Sequence, residues 1–289
     1  MYPAPIIQIM NKYHFCLFAL LLTNVAFAAN PAGSNGGDGE AMKRFAELDN
    51  QDWKEVFFDT GAGDWQEHWT LDGLKAEVSN SGKGMNFRAG PVPNENASHA
   101  VLWTRESFSG DLKIEYEYTR TDEDNQFVNI LYVQATGSGE EGFPRDISEW
   151  ADGRAVPAMS VYWGNMHTYH ISYAAYGRTP VTDDYDYIRA RRYRPDLLPK
   201  KNGPVIDPDT YERTGLFAPG VPHQITVIKQ GNELFMVIRN PDKEYLCHWV
   251  NTDQPIVTEG RVGLRHMYTR SARYRDFKVS LWPRERLNK

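Results

Sequence analysis

Gln224-Ile225-Thr226-Val227-Ile228-Lys229-Gln230-Gly231-Asn232-Glu233-Leu234-Phe235-Met236-Val237-Ile238 decides the fold class. Two runs rich in β-branched and aromatic residues flank a polar turn that contains Gly231 and Asn232, the pattern of a β-hairpin. The second run ends in Asn240-Pro241-Asp242, another cluster of turn formers. Working outward, Leu112 to Tyr118 alternates apolar and polar residues with period two, as a half-buried strand does. Phe127 to Gln134 is mostly apolar and ends in a polar residue. Tyr245 to Val250, Arg261 to Met267 and Tyr274 to Trp282 read as further strands. Helical signal is confined to Glu40 to Leu48. Many strands separated by turn signals predict an all-β chain folded as a two-sheet antiparallel sandwich.

Arg178 to Gly220 departs from this pattern. It is rich in Pro, Asp, Arg and Tyr and shows little periodicity, so it reads as a long loop around 178–220. Its aromatic residues favour an ordered loop. Arg189, Arg191, Arg192 and Arg194 cluster within it. The cluster is either a solvated basic patch or a clamp for carboxylates and sulfates, because guanidinium bonds planar anions bidentately.

The N-terminus carries a leader. Lys12 precedes the apolar run Phe15 to Leu22, and Ala26-Phe27-Ala28 forms a small-x-small cleavage site. The run is too short to span a membrane, so residues 1–28 read as a signal peptide and the product as exported, periplasmic or extracellular. Removing them takes away Lys12 and no acid, moving the formal charge from -6 to -7. That balance gives no support to nucleic-acid binding. Residues 29–45, with Gly33, Gly36, Gly37 and Gly39, read as a flexible tether, and residues 46–289 as one β-domain. The mature chain keeps only Cys247, which reads as a small buried apolar residue and excludes an internal disulfide.

Tyr162-Trp163-Gly164-Asn165-Met166-His167-Thr168-Tyr169-His170-Ile171-Ser172-Tyr173 has the most chemistry per residue. It holds rings, imidazoles and short hydrogen-bonding groups on β-prone backbone, and no formal charge. Such groups stack on sugar rings and move protons. On an ideal strand Asn165, His167, Tyr169 and Tyr173 share one face, while His170 and Ser172 share the other, unless a bulge intervenes.

Four motifs occur in order over about residues 53–282: Val101 to Phe108, His170 to Tyr173, Thr258 to Met267, and Tyr274 to Phe277. Together they resemble the YesU-like family of uncharacterised bacterial proteins. The resemblance implies a concanavalin A-like jelly roll and a role in degrading plant or algal polysaccharides. It also allows a structural Ca²⁺, as such folds often hold one, while requiring no cofactor.

Within that fold group, glycoside hydrolases, polysaccharide lyases and non-catalytic glycan-binding modules all remain open. Glu115 and Glu117 share a strand face about 7 Å apart, a spacing that suits hydrolysis but equally a solvated face. A lyase acting on uronates must neutralise a carboxylate, remove the C5 proton and protonate the leaving oxygen. For that chemistry the catalytic candidates are His170 and Tyr173 as proton-transfer groups, with Arg265 and Asn165 as carboxylate neutralisers. Trp103, Gln134, Trp163, His167, Arg189, Arg192 and His266 are the substrate-binding candidates. The expected partner is a poly- or oligosaccharide, neutral or anionic, with β-elimination placed ahead of hydrolysis and of binding alone. His167 and His170 lack the spacing for two zinc ligands on one strand face.

Overall fold

The computed structural model describes residues 38–177, 185–197, 204–208 and 210–282. The signal peptide read over 1–28 lies outside them. Among the described residues, sixteen strands fold in chain order: β1 Lys54–Asp59, β2 Trp69–Asp72, β3 Glu77–Ser81, β4 Gly84–Arg88, β5 Ala100–Thr104, β6 Phe108–Ser109, β7 Leu112–Arg120, β8 Asn129–Gly137, β9 Met166–Gly177, β10 Tyr185–Tyr193, β11 Tyr211–Glu212, β12 Pro222–Gln230, β13 Glu233–Arg239, β14 Glu244–Val250, β15 Glu259–His266 and β16 Ser271–Leu281. The first sheet runs β14-β13-β12-β7-β16-β4-β3, with β1 also on β16. The second runs β11-β10-β9-β8-β15-β5-β2, with β6 also on β15. Both are antiparallel and neither closes, so the predicted two-sheet sandwich is the observed architecture. The deciding hairpin is β12–β13; Gln230 faces Glu233 across Gly231 and Asn232, and Gly231 takes φ 55 as a two-residue turn requires.

Three apolar layers follow from strand alternation. Phe57, Trp69, Phe87, Tyr116, Ile171, Val227, Met236, Trp249, Leu264 and Phe277 fill the space between the sheets. Full burial of each such side chain contributes about 1.5–3 kcal/mol before entropy is counted. Cys247 lies in this layer, buried and unpaired. On the outer face of the first sheet, helix α1 (Asp38–Asp49) lays Phe45 and Leu48 on Ile228, Phe235 and Val237. Part of the predicted 29–45 tether is therefore helix: from Asp38 onward the chain buries an apolar stripe, which a free linker does not. On the outer face of the second sheet, Val101, Trp103, Ile130, Tyr132, Ala175 and Tyr193 pack beneath Ile147, Trp150 and Tyr162. These last three come from a 3₁₀ segment, Ile147–Arg154, and from helix α2, Met159–Asn165.

Two sequence expectations change here. The stretch 162–173 is not one strand; its first four residues end α2, and β9 starts at Met166. The long loop expected around 178–220 contains the nine-residue β10, paired along β9. No helix among the described residues is long and apolar enough to cross a membrane.

Candidate functional site

Two bulges decide which side chains reach the outer face of the second sheet. In β8, Val133 faces Tyr169 and Thr136 faces His167, so β8 has one residue more than β9 between these pairs. Gln134 absorbs the extra residue at φ 57. In β9, Ser172 faces Arg189 and Ala175 faces Tyr187, and Ala174 takes φ 42. Each bulge shifts the alternation by one. Hence Ile130, Tyr132 and Ala135 join the outer layer, while Leu131 and Val133 stay in the core.

The outer layer is polar at its centre. Asp72 on β2 is a buried hub: its Oδ2 accepts from Arg154 Nε at 2.7 Å, Trp103 Nε1 at 2.7 Å and the Tyr162 hydroxyl at 3.0 Å. Burial raises the Asp72 pKa, and the Arg154 guanidinium opposes that rise. Trp103 lies flat against Tyr132 and Tyr162, with ring centroids 5.3 and 6.3 Å away. Gly263 makes room for it, since a Cβ there would sit 2.4 Å from the indole. Arg265 is fully buried, its guanidinium carbon 4.5 Å from the Tyr162 ring centre, and its Nη2 donates to the Pro157 carbonyl at 2.7 Å.

Beside this hub, His170 links two hydroxyls: Nδ1 lies 2.7 Å from the Tyr193 oxygen and Nε2 2.8 Å from Ser172 Oγ. Burial, then the charges of Arg191, Arg189 and Arg265, hold the His170 pKa well below its usual value. The imidazole is therefore neutral at physiological pH, and one ring nitrogen can accept a proton. Burial pushes the Tyr193 hydroxyl well above its ordinary range. At the rim, the Arg189 guanidinium carbon sits 4.9 Å from the Tyr187 ring centre, with a buried Nε that no acceptor among the described residues meets.

The structure gathers His170, Arg265, Trp103 and Arg189 on this face and sends the others elsewhere. Tyr173 points between the sheets, where its hydroxyl meets that of Tyr274 at 3.1 Å. The expected convergence of Tyr173 with His170 and Arg265 is corrected by β9 parity. His266 is also between the sheets, stacked on Phe87 at 4.3 Å and bonded to Tyr274 at 2.8 Å. Arg192 is not an outer clamp: it is buried, donates to the carbonyls of Pro255 and Tyr193, and loses basicity to about 10 by desolvation. Gln134 is buried and donates to the carbonyls of Phe108 and Gly110. Asn165 is not on a strand; it donates to the Val161 carbonyl at 2.9 Å within α2. Trp163 is half-buried against the outer layer, whereas Trp103 is sealed from solvent. Desolvation lowers the His167 pKa, and its charged neighbours are Arg192, Asp196, Arg194 and Arg145 rather than Arg265.

Sequence reading missed Asp72, Tyr132, Arg154 and Tyr193. Asp72 and Arg154 are 82 positions apart, and nothing in either local sequence marks the pairing. Glu115 and Glu117 lie on the first sheet, tied to Lys278 at 2.9 Å and Arg275 at 3.0 Å. Among the described residues, no three His, Cys, Asp or Glu side chains cluster as metal ligands.

A family profile, a domain of unknown function (DUF1961), matches residues 62–279. A protein of unknown function with a galectin-like fold from Bacillus subtilis superposes with a TM-score of 0.55 at 18% identity, over 78% of this chain and 96% of the other. Basic winged bean lectin with Tn-antigen superposes with a TM-score of 0.52 at 9% identity, over 78% and 98%. These likenesses show a lectin-like jelly roll. Comparison with curated proteins finds no match. The profile covers most of the chain, which therefore belongs to the DUF1961 family.

Proposed function

We propose that this DUF1961 member is an exported glycan-binding protein that recognises an acidic poly- or oligosaccharide along the outer face of the second sheet. The leader over 1–28, in which this chain departs from the cytoplasmic-looking members of the YesU-like family, supports export, and the YesU-like resemblance supports a place in polysaccharide use. The observation that carries the reading is the charge on that face. Arg189, Arg191 and Arg265 all act on His170, and neither Arg189 nor Arg265 is paired with a carboxylate among the described residues. Guanidinium groups without carboxylate partners suit uronate carboxylates or sulfate esters. That a lectin of like fold is bound to Tn-antigen is consistent with a sugar ligand.

Binding of the mature chain to panels of acidic and neutral oligosaccharides tests this. Acidic ligands should bind, binding should weaken with salt, and Arg189→Gln should cost about tenfold, or about 1.4 kcal/mol. Equal binding of neutral and acidic glycans would refute the reading.

One observation favours a catalytic reading as well. Neutral His170 bonded to Tyr193 beside Arg265 offers the parts of a β-elimination, with Tyr193 in the role first expected of Tyr173. His170 would take the C5 proton as the C4–O bond breaks and the C4=C5 double bond forms, and a phenol proton would pass to the leaving oxygen. Ultraviolet absorbance from new unsaturated uronate ends, lost in His170→Ala, is the expected signature. Acidic glycan that binds and yields neither unsaturated nor reducing ends would leave binding alone.

A further inference from the structure

Arg265 is out of keeping with its surroundings. It has zero exposure; it lies over the Tyr162 ring, and only Nη2 makes a hydrogen bond of full geometry, to the Pro157 carbonyl. No acceptor among the described residues reaches Nε or Nη1 in full hydrogen-bond geometry; the buried Tyr132 hydroxyl interacts with Arg265 and Tyr193 without meeting either in that geometry. Asp72, the carboxylate buried in the same layer, is already taken by Arg154, Trp103 and Tyr162. An unpaired buried guanidinium is among the costliest groups a fold can hold. Three other buried arginines have a carboxylate: Arg154 meets Asp72, and Arg120 and Arg270 meet Asp122; buried Arg192 has none but donates to two carbonyls, those of Pro255 and Tyr193.

The chain above Arg265 is held unevenly. Arg154 and Tyr162 pin the two flanks of the covering segment to Asp72. Between them, among the described residues, the sheet bonds residues 155–158 through Arg265, which donates to the Pro157 carbonyl. Val156, at the crest, is 44% exposed. Lifting this crest breaks one charge-assisted bond and frees a planar fork of donors. A carboxylate or sulfate would replace that bond with two or more.

We propose that Arg265 and the Tyr132 hydroxyl form an occluded anion seat, which takes a carboxylate or sulfate group of the ligand when Val156–Pro157 lifts. The seat rests on the acidic-glycan reading but makes a separate demand: binding must open the crest. In this arrangement Arg189 meets the ligand at the surface and Arg265 selects it by charge at depth. A neutral sugar cannot replace the Pro157 carbonyl with a charged acceptor, so it does not lift the cover.

The test uses the mature chain with free glucuronate, inorganic sulfate and glucose at matched ionic strength, followed by thermal shift and by amide hydrogen exchange. Glucuronate should raise the melting temperature and speed exchange at the Val156 and Ala158 amides, and glucose should do neither. A response to sulfate equal to that of glucuronate would assign the seat to sulfate esters as well as uronates; a response to glucuronate alone would assign it to carboxylates. Arg265→Met, close in volume, should lose both effects, and Arg265→Lys, which keeps the charge but not the fork, should recover only a small part of the affinity. If Arg265→Met does not fold, the exchange change in the unaltered chain still decides. No anion effect at all, or anion binding that protects Val156 and Ala158, would overturn the seat. Acidic oligosaccharides bound through Arg189 but indifferent to Arg265→Met would also overturn it, leaving the glycan reading intact. Small anions bound through Arg265 with no acidic oligosaccharide bound would sustain the seat and sink the glycan reading.

Discussion

Single residues on the second sheet's outer face do work that their neighbours in sequence do not reveal. Asp72 accepts from Arg154, Trp103 and Tyr162, so it neutralises one buried cation and fixes two rings at once. Asp72→Ala should destabilise the fold by about 3–5 kcal/mol, since Arg154 is left buried and unpaired; chemical denaturation measures this. A loss no greater than that of a surface substitution would mean that the ion pair is not a buried one. Gly263 serves the same ring by what it lacks. Gly263→Val should cost about 1–3 kcal/mol from overpacking against Trp103, read as a lowered melting temperature.

Among the elements, α1 belongs to the sandwich rather than to a linker. It is held by Phe45 and Leu48, by Asp49 on Lys113 at 2.8 Å, and by the Trp53 indole, which donates to the Leu48 carbonyl at 2.8 Å. Phe45→Ala should lower stability by about 3 kcal/mol in equilibrium denaturation; an unchanged midpoint would show the helix to be ornamental. How far such elements could be read in advance follows from their packing. The β12–β13 hairpin and β7 were legible because one face is apolar and the turn residues are conformationally specific. The Tyr162–Asn165 end of α2 was not, because its aromatic residues favour strands locally; it is helical because Tyr162 is buried on Trp103 and Tyr132. β10 hid for the opposite reason: polar Asp186 and Arg192 interrupt its inward side, so no period of two survives. The candidate site was half legible. Residue types flagged His170, Arg265 and Arg189, and β9 parity separates Tyr173 from them, but the bulges at Gln134 and Ala174, both non-glycine residues at positive φ, decide which side chains beyond them join the same face. Sequence patterns do not mark such positions.

At the scale of the molecule, buried histidines link folding to pH. Desolvation holds His99 at about 2 and His266 at about 3, and lowers His170 well below its usual value. These folded-state values lie below those of the unfolded chain, so the unfolded state takes up protons first. Their contribution to stability is complete above about pH 6.5 and is lost as pH falls from there toward the folded-state values, by about 1.4 kcal/mol per pH unit for each such histidine. Melting temperatures should therefore fall steeply from about pH 6 to about pH 4, and a flat profile would contradict the buried, neutral assignment. Cys247 adds no redox counterpart: burial raises its thiol well above the ordinary range, so reductants should leave the melting temperature unchanged. Mechanics follows from the pairing of the first and last strands of the chain order. β1 lies antiparallel on β16, with Lys54 opposite Leu281 and Asp59 opposite Phe277. Tension drawn between residues 54 and 281 therefore loads that ladder one rung at a time from its open end. Pulled this way, the sandwich peels like a zipper instead of resisting in shear.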